Sequence, residues 1–234
     1  MTFYTRNVIR NFSKIGFIVV FATTGLVQCG GNDFPVEQLG RARQEIAKAE
    51  AQKPDGDSAD LLSRAKETLV EGHNLLAEGE NKDAAGKATE ARKFAVQSRL
   101  DSAPHFGLAL QEQSNDSLQQ ADEAFAEKLA ADDFQSARSL HQDGVAALTD
   151  AESVQVTEEQ RNDPLADSSP VLGQLQSYEQ AFDKFAASNE ASQKARAVAL
   201  SQKPDMIESV AAVEATLARA KEYGIEKFDE AGYK

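Results

Sequence analysis

Alanine placed three or four residues apart is the feature that most restricts this chain. Ala84, Ala88, Ala91 and Ala95 mark one face of a helix, and 38 of the 234 residues are alanine. Alanine loses no side-chain entropy on entering a helix, and the residues that interrupt one are scarce, with 14 Gly and 6 Pro in all. An all-β fold is thereby excluded, and the fold class expected is all-α. A single cysteine rules out a disulfide framework and any multi-cysteine metal site.

The apolar spacing predicts helices nearly throughout. Residues 35–52 carry Val36, Leu39, Ala42, Ile46 and Ala49 on one face, and the Pro54-Asp55-Gly56 step stops them. A second helix over 58–78 runs through Leu62, Ala65 and Leu69 to a stop at Gly79-Glu80-Asn81, and a third spans 81–102, with Pro104 after its end. Residues 76–84 then recur 53 positions later as 129–137, with a looser copy at 185–191. Each copy reads as a helix, a tight turn and an alanine-faced helix. Hairpins over 105–131 with 133–152 and over 170–187 with 190–202 follow, then a helix over 205–222. The architecture expected is antiparallel hairpins stacked as a short tetratricopeptide-like solenoid or as an irregular bundle. Residues 161–170, with two prolines, read as a linker between a hairpin domain over 35–160 and C-terminal helices over 171–234 packing on the same or a second small unit. Leu172, Leu175, Tyr178, Phe182 and Phe185 form a bulky stripe, read as core, or as a groove for a partner helix.

The first 28 residues have a different character. Arg6, Arg10 and Lys14 precede an apolar run from Ile15 to Val27 with no acidic residue before Asp33, the form of a secretory signal peptide. The run is shorter than the roughly 20 residues that cross a bilayer comfortably, which disfavours a permanent helical anchor. Leu26-Val27-Gln28-Cys29 resembles the lipobox of bacterial lipoproteins, with Gln28 where a small residue is usual and Cys29 as the residue to be lipidated. Residues 29–34 then form a flexible tether. The resemblance implies a mature chain held to the membrane by its N-terminal lipid, in the periplasm or on the surface, and Gly30 after the cysteine leans toward the outer membrane. The leader holds three basic residues and no acidic ones, so the remainder is more acidic than the chain's overall charge of −13. Such a surface repels nucleic-acid phosphates, which excludes nucleic acid as a partner.

Catalytic and metal-binding patterns are not found. His73, His105 and His141 fall in different segments without the paired spacing of a helical zinc site, and His141-Gln142-Asp143 lacks a third ligand. Asp132-Asp133 and Glu158-Glu159 sit where carboxylates complement free N–H groups at helix starts, and Thr157 with Gln160 matches a capping box. Adjacent residues on a helix do not face each other, so neither acidic pair forms a carboxylate dyad. No catalytic residue, metal ligand, cofactor or small-molecule substrate is assigned, and the chain is read as non-enzymatic.

Three stretches, Ala42–Glu50, Leu62–Lys66 and Gly79–Ala84, resemble an uncharacterised family of alanine-rich envelope lipoproteins. The likeness covers about residues 36–100. It implies an envelope location and a helical hairpin fold, and no activity. The expectation is thus a lipid-anchored helical scaffold or protein-interaction module with a protein partner. Two other roles stay open: a surface lipoprotein that binds host or environmental macromolecules, and a spacer joined to peptidoglycan through Lys234, the terminal residue also found in Braun-type lipoproteins.

Overall fold

A computed structural model describes residues 34–167 and 169–223. Cys29, the leader, the tether up to residue 33 and Lys234 lie outside the described residues. The fold is all-α, with no strand among the described residues. Its helices are α1 (Val36–Ala51), α2 (Gly56–Ala77), α3 (Asn81–Glu123), α4 (Ala126–Leu129), α5 (Ala131–Ser153), α6 (Glu158–Asn162) and α7 (Val171–Glu222).

The helices form two three-helix layers joined through α3. In the first, α2 runs antiparallel to α3, since the buried Ser98 hydroxyl donates to the Ser58 carbonyl at 2.7 Å while Lys87 meets Glu71 at the other end. Parallel to α3, α1 sets Glu45 beside Arg92 and Arg99, and Gln52 against Ser102. Ile46, Ala49, Leu62, Ala65 and Ala95 are buried together between the three. The second layer uses the C-terminal part of α3 with α5 and α7. Arg99 meets Glu179, Ser114 meets Ser188 and Ser117 meets Asn189, so α3 and α7 run the same way, and α5 returns between them. The main core, Val96, Leu100, Ala103, Leu148, Val171, Leu175, Tyr178 and Phe185 among others, lies between α3, α5 and α7.

Small residues permit the close approach. A Cβ on Gly144 of α5 would come 2.7 Å from the Phe185 ring, and one on Gly107 of α3 would come 2.8 Å from Leu148. Real Cβ atoms do not approach so closely, so these two glycines set the spacing of α3, α5 and α7. Between α2 and α3 the chain turns at Gly79, whose φ of +85° few other residues adopt; Glu80 N–H donates to the Leu75 carbonyl and Gly79 N–H to that of Leu76, the paired bonds of a Schellman stop.

Several expectations from the sequence are corrected. Pro104 does not end a helix: 81–102 and the start of 105–131 are one α3, 43 residues long. A proline inside a helix removes one ladder bond and crowds the preceding turn, at a cost of about 3 kcal/mol. Val96, Leu100 and Ala103, buried against α5 and α7 just before it, hold both halves on one axis. The second hairpin turn falls at Ala124–Ala130 rather than beside Asp132, because Phe125 takes a left-handed φ of +64° there. The third hairpin, 170–187 with 190–202, does not exist; residues 185–191 lie within α7, which also continues through Pro204. Ser188 and Asn189 look like turn formers in sequence but bond across helices instead: the Ser188 hydroxyl donates to the Ala137 carbonyl at 2.9 Å, and Asn189 accepts from Ser117. Val36 is exposed, and the α7 stripe begins at buried Val171 while Leu172 points outward. The end of α6 and the irregular segment after it lie along α3, with Arg161 of α6 on Asp101, Asp163 on Lys93 and Pro164 fully buried. Helices of 22, 43 and 52 residues sharing one spine do not make the equal repeats a solenoid needs.

Candidate functional site

Among the described residues, no helix is long and apolar enough to cross a membrane, and no three His, Cys, Asp or Glu side chains gather as metal ligands would. The sequence-selected polar residues are dispersed. His73 sits on α2, where its Nε2 accepts from Arg43 Nη2 of α1 at 2.8 Å. His105 lies exposed on α3. Asp132 and Asp133 occupy the first turn of α5, with Asp133 paired to Lys194 at 2.8 Å. Glu158 and Glu159 occupy the first turn of α6, where the Thr157 hydroxyl accepts from Gln160 N–H at 3.3 Å and the Gln160 side chain accepts from Thr157 N–H at 3.0 Å. That capping box is as the spacing predicts.

His141 is the histidine placed among buried partners. Its Nδ1 lies 3.0 Å from Ser114 Oγ, Ser114 donates to Ser188 Oγ at 2.9 Å, and Ser188 donates to the Ala137 carbonyl at 2.9 Å. Each hydroxyl has one proton, so the chain is consistent in one direction only, with His141 Nδ1–H donating to Ser114. Burial pushes the His141 pKa below the ordinary histidine value, and its ring lies against that of Phe185, centroids 5.7 Å apart. A serine beside a histidine invites comparison with a nucleophile and its base. Here Ser114 is completely buried and its proton is committed to Ser188, so it offers no nucleophile to a substrate.

A second polar cluster lies where α1, α3 and α7 meet. Arg99, 2% exposed, bonds Glu45 through Nη1 and Glu179 through Nη2 at 2.6 Å, and Lys48 also reaches Glu179 at 2.8 Å. The guanidinium is flanked by helices on every side and has no open face toward a ligand. Its role is to tie three helices together.

Compared with known proteins, the chain matches no family model, no curated protein and no solved structure.

One surface departs from what burial requires. From Val171 to Ala199, α7 is covered by α3, α4 and α5 along a sevenfold series of Val171, Tyr178, Phe185, Ser192 and Ala199. The same series continues to Met206, Val213 and Ala220, interleaved with Val210 and Leu217, after the covering helices have ended. The changeover lies at Lys203, whose ammonium sits 4.9 Å from the centre of the Phe125 ring beyond the end of α3. Beyond it the helix runs through Glu222, a further 30 Å or so at 1.5 Å per residue. On this arm Ile207, Val210, Val213, Leu217 and Tyr223 are all exposed large apolar residues, with Leu200 just before them, Val213 at 59% and Tyr223 at 80%. Elsewhere among the described residues exposed large apolar side chains are scattered, as is ordinary; a run of this kind marks an interaction surface. The apolar spacing predicts the helix over 205–222 but does not by itself show that this face is left uncovered. The signal was present in the four-three-four-three spacing of Met206, Val210, Val213, Leu217 and Ala220.

Proposed function

We propose that this chain is a non-enzymatic cell-envelope lipoprotein, held to the membrane by lipid on Cys29, whose helical body is a scaffold presenting the arm of α7 for protein association. The observation that carries the reading is the arm itself: about three heptads of helix with an apolar seam left uncovered by the described residues, outside the body in which the stripe of α7 from Val171 to Ala199 is buried. Cys29 contributes the anchor. A lipobox cysteine receives two or three acyl chains, and at about 0.8 kcal/mol per buried CH₂ that number gives lasting attachment where one chain does not. The arm's acidic residues, Asp205, Glu208, Glu214 and Glu222, outnumber Lys203, Arg219 and Lys221. They make the arm a poor ligand for anionic lipid, so its seam is read as meeting protein and not membrane.

Growth of producing cells with an alkyne analogue of palmitate, followed by dye coupling and gel analysis, tests the anchor. The intact chain is expected to take the label and remain with membranes through a high-salt wash, and the Cys29→Ser chain to take none. Equal labelling of both chains, or none of either, would overturn the lipoprotein reading.

A further inference from the structure

We propose that the partner of the α7 arm is the arm of a second copy of this chain, packed antiparallel to it. This inference rests on the reading of the arm as a protein-association surface and names its occupant.

Among the described residues, none covers the seam. After Glu123 the chain of α3 turns back through Phe125, and α5 begins at Ala131, so neither covering helix extends beside residues 206–222. The seam's spacing is the one by which two helices of the same kind interlock: Met206, Val210, Val213, Leu217 and Ala220 alternate steps of four and three, and each such residue fits between four of a facing helix. Lys203 occupies the preceding position of the same series.

Charge selects the direction. A parallel pair would place Lys203 against its own copy and bring the two acidic bodies side by side, in a chain whose formal charge is −13. An antiparallel pair centred between Val210 and Val213 packs Met206 on the partner arm's position 217, Val210 on 213 and Lys203 beside 220, the small residue Ala220 in each copy. Beside the seam, Leu200 and Ile207 then meet the aliphatic stems of the residues at 221 and 214, which are Lys221 and Glu214, so no like charges oppose each other. The bodies fall at opposite ends of the paired arms, where their repulsion is screened over more than a Debye length of about 8 Å. In this register each Tyr223, 80% exposed, reaches the level of Leu200 on the other copy, near the exposed ring of Phe125 that Lys203 covers. One antiparallel pairing therefore accounts for the apolar run from Leu200 to Tyr223 as a whole.

The test is site-specific photocrosslinking in cells that make the full chain with Cys29 intact. Benzoylphenylalanine in place of Val213 is expected to give a species of twice the chain's mass containing this chain alone, and the probe at Ala215, on the opposite face, at least tenfold less. With the probe in place of Met206, fragment mapping should locate the crosslink around residue 217 of the other copy. Leu217→Asp combined with the Val213 probe should abolish the product while purified chain keeps its helical circular dichroism, which separates lost pairing from lost folding. A crosslink from 206 to 206 would overturn the antiparallel arrangement. A product containing a different protein would overturn self-association while leaving the arm an association surface. No crosslink from either seam position would overturn both this inference and the reading on which it rests.

Discussion

At the scale of single residues, the hydroxyls and ring that join α3, α5 and α7 show how a polar core is kept within an alanine-rich one. Ser114, Ser188 and His141 satisfy one another in a single donor direction, and the ring pays for its place with desolvation. Because burial lowers the folded-state pKa of His141, the unfolded chain binds a proton more readily than the folded one between the two values. The contribution of the neutral ring is thus fully present above the unfolded value of about 6.5 and is lost as pH falls through the folded value. Urea unfolding at pH 7.5 and 5.5 should give a lower midpoint at the lower pH, and His141→Gln should flatten that slope. An unchanged slope in the variant would show that burial of His141 is not its source. The location of His141 was not legible in the sequence, since a histidine at helical spacing from alanines can face either way, and only Phe185 and Ser114 from distant segments decide it.

At the scale of elements, proline and glycine carried less information than their reputation suggests. Pro104 sits inside α3, yet the helix continues because buried residues on the turn before it pack against α5 and α7. Pro104→Ala would restore the N–H that can donate to the Leu100 carbonyl, and is expected to raise stability by about 2 kcal/mol, read as a higher urea midpoint with the same slope. No gain would mean that the helix has already relaxed around the ring at no cost. The alanine stripe of α3 was legible, and Ala84, Ala88, Ala91 and Ala95 are all buried completely, because a period of three and four needs only one chain segment to define it. The Gly79 stop was legible for the same local reason. Helix lengths were not. Whether Ser188-Asn189 turns or continues depends on Ala137 and Ser117 supplying partners, and those lie 51 and 72 residues away. The candidate arm was half legible: its helix follows from Ala211, Ala212, Ala215 and Ala218, but that its seam is left uncovered among the described residues follows only from where α3 and α5 end.

At the scale of the whole molecule, the shared α3 makes the two layers dependent on one another, and Arg99 sits at their junction. Its guanidinium contacts Glu45 from one layer and Glu179 from the other, while its Nε has no partner, so the charge is satisfied by these carboxylates alone. Taking an ion pair out of water is costly, and removing one member leaves the cost of the other uncompensated. Arg99→Leu leaves Glu45, 13% exposed, with only Arg92 at 3.9 Å, and is expected to destabilise the chain by about 3 kcal/mol. Arg99→Leu with Glu45→Leu removes the stranded carboxylate as well, and the loss should shrink to about 1 kcal/mol, since a well-packed apolar pair can replace a buried ionic one. Chemical unfolding of the two variants and the parent gives the comparison directly. Equal losses in the single and double variants would show that Arg99 acts through the packing of its stem, and that its ion pairs add nothing to the junction.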